Sequence, residues 1–287
     1  MPHTARTPVI AGSTVLITGA AHGMGALYAR RAAREGAAAI ALWDRDAPAM
    51  AALADELKET GVRVRVEEAD LSRHEAITRG VAATRNDLGT PDILVNNAGI
   101  VRGIPFWQHD PSHDIELTMQ VNCHAPMRLT RAFLPEMMAD RSRPKRILNI
   151  ASAAGTLPNP NMSVYAASKW AMIGWSESLR LELNRTGHSH VAVTTFCPSY
   201  ISTGMFEGAR GPLLTPIMTP ERAVSAAWSG MVAGRPVVSK PWTVKGAMAA
   251  RGVLPTRIWD VVADKVFHIY SSMDHFTGRP ETDSARG

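Results

Sequence analysis

The chain has almost no cysteine: Cys123 and Cys197 are the two in 287 residues, and neither stands in a ligand-type cluster. A disulfide framework and a cysteine-based metal site are excluded. Free thiols in a reducing compartment are expected, hence a cytoplasmic location. Long apolar runs are also lacking. None approaches the ~20 residues that cross a bilayer, so no integral membrane segment is expected. The stretch Met1 to Pro8 has two prolines and no apolar signal-peptide core, and is expected to be a disordered lead-in. The net charge of +5 is not concentrated; its densest cluster, Arg141 to Arg146, falls between an apparent helix and a strand. A solvated loop is expected there and no nucleic-acid partner. Ten histidines raise the question of a metal. His109 and His113 have helical spacing, but Pro111 lies between them, and no carboxylate–histidine motif of metalloenzyme type occurs. No metal is expected.

What is present is an ordinary globular composition, 45% apolar and 20% charged, on a chain long enough for one substantial core. Strand-like apolar runs alternate with helix-like segments to about residue 200. That order predicts βαβ units and a parallel sheet covered on both faces. The first strand, Thr14–Thr18, runs into Gly19-Ala-Ala21-His22-Gly23-Met24-Gly25 and then a helix. Glycines in that context allow a tight turn, and the helix start favours a pyrophosphate. A packing turn without a ligand is the other reading. A second strand ends in Asp44, 19 positions after Gly25. A carboxylate there suits the ribose hydroxyls of NAD and repels the extra phosphate of NADP. Arg45, next in sequence, pulls the other way.

Further along, Asp70 with Leu71 follows the third strand. Asp70 either accepts from an adenine amino group or caps the helix starting near Arg73. Asn96-Asn97-Ala98-Gly99 ends the fourth strand, on the side where parallel sheets bind ligands. A long helix, about 114 to 138, carries Asn122 in its body, where a mediocre helix former suggests a buried hydrogen bond or a site role. Ser152 closes the fifth strand. Tyr165 and Lys169, four apart on the next helix, share one face. A free tyrosine titrates near ~10. An ammonium one turn away is expected to lower that value and make the pair usable for proton transfer. The alternative is an ordinary amphipathic helix with a surface lysine. A sixth strand ends in Cys197-Pro198. Residues 201–220, rich in glycine, proline and threonine, read as a substrate lid.

This ordered set resembles the short-chain dehydrogenase/reductase family. Thr18-Gly19-x-x-x-Gly23-x-Gly25 is similar to its coenzyme motif. Asp70 and Asn96–Gly99 resemble its adenine-side and sheet-stabilising motifs. Asn122, Ser152, Tyr165 and Lys169 match its catalytic tetrad. Pro198, Ile201 and Thr203 resemble the segment beside the nicotinamide, with Ser199 departing where many members have glycine. Leu42-Trp43-Asp44, the segment 254–260 and Met273-Asp274-x-Phe276-x-Gly278-Arg279 are similar to the branch with retinol and 17β-hydroxysteroid dehydrogenase-like enzymes.

The resemblance implies one Rossmann-type domain. Residues 9–200 would form the coenzyme-binding and catalytic core, 201–240 the lid region and 241–287 a C-terminal extension. It implies NAD(H)-dependent interconversion of an alcohol and its carbonyl compound, with Tyr165 as acid/base. Lys169 would lower its pKa and hold the nicotinamide ribose, and Asn122 would hold a water that reaches Lys169. A homo-oligomer, most simply a tetramer, is implied. Ser152, Leu157, Met162, Tyr200, Met205 and Phe206 are expected to form the substrate pocket, with Trp242 as a further candidate. Their apolar character points to a hydrophobic, secondary alcohol or its ketone. A non-catalytic NAD(H)-binding regulator on the same fold is the reading to be tested against this one.

Overall fold

The computed structural model describes residues 9–213 and 215–278; the lead-in 1–8 and Arg279 lie outside them. Seven strands form one parallel sheet in the order β3-β2-β1-β4-β5-β6-β7. They are β1 Thr14–Thr18, β2 Ala39–Asp44, β3 Arg63–Glu68, β4 Ile93–Asn96, β5 Lys145–Ile150, β6 Val191–Pro198 and β7 Val237–Lys240. The helices are α1 Gly23–Arg34, α2 Ala47–Lys58, α3 His74–Leu88, α4 Leu117–Met119, α5 Ala125–Ala139, α6 Ser163–Arg185, α7 Pro220–Val232, α8 Trp242–Val253 and α9 Thr256–Val261. This is the doubly wound, Rossmann-type arrangement expected. The strand order reverses between β1 and β4, where such sheets open a crevice at their C-terminal edge.

Two apolar cores explain why the central strands read as unbroken hydrophobic runs. In β1, Val15 and Ile17 face one layer with Ile40 and Leu42 of β2, Tyr28 of α1 and Trp228 of α7. Leu16 faces the other with Ala41, Trp43, Leu94 and Ile147, against Leu129 and Phe133 of α5 and Leu179 and Leu183 of α6. Alternation of side chains along each strand thus feeds two cores rather than core and solvent. β3, at the sheet edge, keeps alternating charges, and Arg65 pairs there with Glu67 at 2.8 Å.

The expected helix over 114–138 differs in detail. Helical backbone begins at Pro111 and passes through two wider π-type turns, Pro111–Glu116 and Gln120–His124, around α4. The second turn contains Asn122. Pro126, four residues on, has no N–H to give the Asn122 carbonyl, so a regular α-helical bond cannot form there. The inserted residue leaves Asn122 fully buried.

At the N-terminal edge of the sheet, Lys145 is a buried cation held by carboxylates. Its Nζ donates to Asp92 Oδ1 at 2.7 Å and also pairs with Asp140. Asp92 Oδ2 accepts from the Thr14 N–H at 2.9 Å, and Arg143 Nη1 stands 3.7 Å away. The hydrogen bond from Lys145 is the main reason the Asp140 carboxyl sits far below the usual range. Lys145→Met should therefore destabilise the fold by about 3 kcal/mol, the low end for breaking a buried pair, because Arg143 remains near Asp92. Asp140, with its depressed folded pKa, contributes stability above the unfolded value of ~3.9 and loses it as pH falls. The deficit of the variant in denaturant titrations should then be largest at neutral pH and shrink below about pH 4. A pH-independent deficit would show that packing, not the ion pair, is responsible.

Candidate active site

The C-terminal edge of β1 and β4 is laced together by hydrogen bonds. Asn97 donates its Nδ2 hydrogens to the Thr18 and Gly19 carbonyls at 3.0 and 3.1 Å. The N–H groups of Asn97 and Ala98 both reach Thr18 Oγ1, at 3.0 and 3.1 Å. Gly19 has φ +63°, and a Cβ there would stand 2.9 Å from Ala98 Cα. At Gly25 a Cβ would fall 1.9 Å from the Gly19 carbonyl oxygen, so the turn closes only around a bare backbone. Asn96 points the other way, into a buried chain: Nδ2 to Asn149 Oδ1 at 2.7 Å, and Asn149 Nδ2 to Ser176 Oγ at 2.8 Å.

The turn leads into α1, whose N-cap, His22, makes no side-chain cap. A helix N-terminus left with free N–H groups beside bare glycine backbone fits a pyrophosphate. Asp44 is fixed at the crevice wall. Its Oδ2 accepts from the Ala21 N–H at 3.1 Å, and Oδ1 from the N–H groups of Arg45 and Asp46 at 2.8 and 3.2 Å. A second carboxylate stands with it: Asp46 Oδ2 lies 2.7 Å from His22 Nε2, while Oδ1 caps α2 through Ala49 N–H. The hydrogen bond to His22 is the chief cause holding the Asp46 carboxyl below its usual pKa. Arg45 is exposed.

The remaining coenzyme-side candidates divide. Asp70 is exposed and accepts from Ser72 N–H and Oγ at 2.9 and 2.7 Å. The N-cap of α3 is Arg73, so the helix-cap reading of Asp70 is corrected to a local turn. Leu71 and Ile201 bury their side chains in the cores, and Met24 packs on one, which leaves their backbones for a ligand. Thr203 lies over the glycine turn, its Cβ 3.6 Å from where a Gly23 side chain would begin. Pro198 ends β6 at the same edge of the sheet.

Ser152, Tyr165 and Lys169 meet at the ends of β5 and α6, all nine-tenths or more buried. Ser152 Oγ accepts from Ala154 N–H at 3.1 Å and is a hydrogen-bond partner of the Tyr165 hydroxyl. Lys169 Nζ donates to the Ile150 carbonyl at 2.9 Å and lies 5.6 Å from the Tyr165 ring centre. Burial lowers the Lys169 pKa to about 8. Burial also pushes the Tyr165 hydroxyl well above the ordinary tyrosine value, and the Ser152 hydrogen bond only partly offsets it. The expected lowering of Tyr165 by Lys169 is thus not what the folded chain alone displays. Desolvation penalises both charged forms, and the ammonium is already engaged by a carbonyl.

Asn122 places its amide between strand end and helix. Oδ1 accepts from Ile100 N–H at 2.8 Å; Nδ2 donates to the Ile100 carbonyl at 2.9 Å and to Ser168 Oγ at 3.0 Å. The position a Gly99 side chain would fill lies 3.3 Å from Asn122 Oδ1 and 3.5 Å from Lys169 Nζ.

Beside Ser152 opens a largely apolar cavity of about 270 Å³. Ser152, Leu157, Met162, Tyr200, Phe206 and Trp242, all candidates from the sequence, line it. Met205 does not; the chain turns sharply through 202–208, and Met205 stands outside the wall while its neighbour Phe206 faces in. The Tyr165 ring meets Phe206 edge-on, with centroids 5.9 Å apart. The sequence reading missed most of the far wall: Val244, Ala247 and Ala250 on α8, then Phe267, Ile269 and Ser272. It also missed Asn159, whose Nδ2 donates to the Tyr200 hydroxyl at 3.1 Å and to Ser272 Oγ at 2.9 Å, tying the tail to the pocket. The one available signal was the small residues Gly246, Ala247 and Ala250, at a spacing that keeps one face of α8 thin.

Among the described residues, no group of three or more His, Cys, Asp or Glu could hold a metal, and no helix is long and apolar enough to cross a membrane. A family model described as short chain dehydrogenase matches residues 13–212. Epidermal retinol dehydrogenase 2 of Mus musculus is 34% identical over 275 residues, covering 94% of this chain and 87% of the relative. Estradiol 17-beta-dehydrogenase 11 of Rattus norvegicus is 32% identical over 258 residues, covering 90% and 85%. Among solved structures, a short-chain dehydrogenase from Sphingobium yanoikuyae in complex with NADPH matches with TM-score 0.72 and 31% identity, over 85% of this chain and 97% of that one. A bulky-bulky ketone specific alcohol dehydrogenase from Comamonas testosteroni matches with TM-score 0.69 and 28% identity, over 85% and 95%.

Proposed function

The chain belongs to the short-chain dehydrogenase family, and from that premise we propose that it is an NAD(H)-dependent oxidoreductase interconverting a bulky, hydrophobic secondary alcohol and its ketone. The observation that carries the reading is the convergence of Ser152, Tyr165 and Lys169 at the inner end of an apolar cavity. Names of relatives that act on retinol, estradiol and a bulky-bulky ketone support the substrate class.

The glycine turn, the start of α1 and the Asp44 carboxylate would hold the coenzyme. When bound, the coenzyme would supply hydride transfer to or from the substrate carbon. Everything else falls to the chain. Ser152, its oxygen already accepting from Ala154 N–H, would turn its own proton from Tyr165 to the reacting oxygen. Tyr165 gives or takes the hydroxyl proton; its raised pKa suits the neutral phenol that donates in ketone reduction. Lys169 keeps two donors beyond the Ile150 carbonyl, one for a coenzyme hydroxyl and one toward the space beside Gly99. A water in that space would touch Asn122 and Lys169 together and refill the Tyr165 proton. Asn122 is a positioning residue, since its amide is spent on Ile100 and Ser168. We further propose a cytoplasmic homo-oligomer; the exposed Trp170 and Leu181 on α6 support a subunit contact.

The test is absorbance at 340 nm with both coenzymes against short and bulky alcohols and ketones. Turnover of bulky apolar substrates is expected. Coenzyme binding without turnover of any of them would favour the regulator. Ala247→Phe, which fills the cavity from α8, should raise KM for bulky ketones about tenfold or more and leave KM for short ones near the wild-type value. Equal changes for both would place the substrate elsewhere.

A further inference from the structure

The helix that walls the cavity shows an apolar face on its other side as well. Along α8, Val244 is buried and Ala247 and Ala250 line the cavity. Trp242, Lys245, Met248, Ala249 and Val253 are exposed, at spacings of three and four that put them on one face. Trp242 is 76% and Val253 84% exposed. Leu213 and Ile217 of the lid, 51% and 46% exposed, lie beside the first turn of α8. Thr215 Oγ1, between them in sequence, is 2.9 Å from Thr243 Oγ1. Leu213 and Trp242 belong both to this surface and to the cavity wall, so the mouth opens onto it. Exposed large apolar side chains gathered at one place mark an interaction surface.

The charge along this segment is of one sign. Residues 235–257 hold Arg235, Lys240, Lys245, Arg251 and Arg257 and no aspartate or glutamate. Arg251 turns inward, donating to the Thr156 carbonyl at 2.6 Å and lying over the Trp170 ring. The other four are exposed, and none forms an ion pair among the described residues. The nearest acidic residues in sequence lie beyond α8: Asp260 accepts from the Tyr270 hydroxyl at 2.7 Å, and Asp264 pairs with Lys265 at 2.9 Å.

We propose that the outward face of α8, with the lid rim, docks on an anionic lipid membrane. A tryptophan beside lysines that keep their heads in water suits the bilayer interface. A second copy of this chain fits worse, because a two-fold contact would set cation against cation. Docking would point the cavity mouth at the lipid, so that a lipophilic substrate enters without crossing water. That consequence rests on the proposed function; the docking does not.

The experiment is sedimentation of the full chain with vesicles of phosphatidylcholine, and of phosphatidylcholine mixed with phosphatidylglycerol. Wild type should sediment with the mixed vesicles at low salt and be released at high salt. Lys245→Glu should weaken partitioning about fivefold or more, and Trp242→Ser should weaken it several-fold. Arg79→Glu, on the exposed side of α3, is the control for net charge and should change partitioning little. Wild type left in the supernatant with both vesicles would overturn the proposal. So would equal losses from Lys245→Glu and Arg79→Glu, or loss of self-association in Trp242→Ser with vesicle binding unchanged. Sedimentation needs no turnover, so its failure is separate from failure of the catalytic reading.

Discussion

Tyr165→Phe is expected to lower kcat by ~10²–10⁴-fold, the usual weight of a positioned general acid or base. The substitution removes one oxygen and leaves the ring, whose edge contacts with Phe206 and place among Met162, Tyr200 and Met273 stay filled. The fold should therefore be unaffected. Binding of NADH, followed by its fluorescence, should also survive, since the glycine turn and Asp44 lie at the β1 and β2 ends of the crevice. The loss should appear equally in kcat and kcat/KM, the signature of an interaction made at the transition state. Ser152→Ala should lose activity too, because it takes away both the donor to the reacting oxygen and the hydrogen bond to Tyr165. Near-native turnover by Tyr165→Phe on a good ketone would end the assignment. Lys169 offers a second readout. Its pKa is lowered to about 8, so its charge is lost as pH rises through that value. A limb near there in the kcat/KM profile should disappear in Lys169→Met, provided measurable activity remains.

The parts legible in the sequence were those set by local chemistry. β1 to β6, the glycine turn and the Tyr165–Lys169 helix are read from runs and spacings within one element or one turn, and the parallel order follows from alternation. The interrupted helix around Asn122 was not, although Pro126 was in view. Its cause is partly remote, the amide bonds to Ile100 and Ser168. The pKa of Tyr165 was misjudged for a related reason. Spacing places an ammonium one turn away, but says nothing of how deeply both groups are buried or that Ile150 takes the ammonium. The far wall of the cavity escaped most completely. Ser272 is 113 residues from its partner Asn159, and no motif marks a contact at that range. Phe206 and Met205 show the same limit at short range, since a sharp turn decides which of two apolar neighbours faces the cavity.

Asp44→Ser is expected to change the ratio of kcat/KM for NAD to that for NADP by one to a few orders of magnitude in favour of NADP. The geometry sharpens the argument. The carboxylate is oriented by three backbone N–H groups, of Ala21, Arg45 and Asp46, and these bind a charged acceptor strongly. It is thereby held in one orientation at the end of β2, where an acidic residue meets the adenosine ribose hydroxyls in this fold. A ribose phosphate ~4 Å away would be repelled by ~1 kcal/mol in bulk water and by several at a protein-like dielectric. Each 1.4 kcal/mol is tenfold. Asp46 adds a second carboxylate, held by His22 at 2.7 Å, and Arg45, the cation beside them in sequence, has Asp44 and Asp46 on either side. Serine at position 44 removes the nearer charge and frees Arg45 from part of that field. The retained Asp46 should keep the switch incomplete, and Asp44→Ser with Asp46→Asn should carry it further. Initial rates with both coenzymes across the three proteins decide the matter. A wild-type preference for NADP would refute the NAD assignment, and an unchanged ratio in Asp44→Ser would show that this carboxylate does not face the ribose.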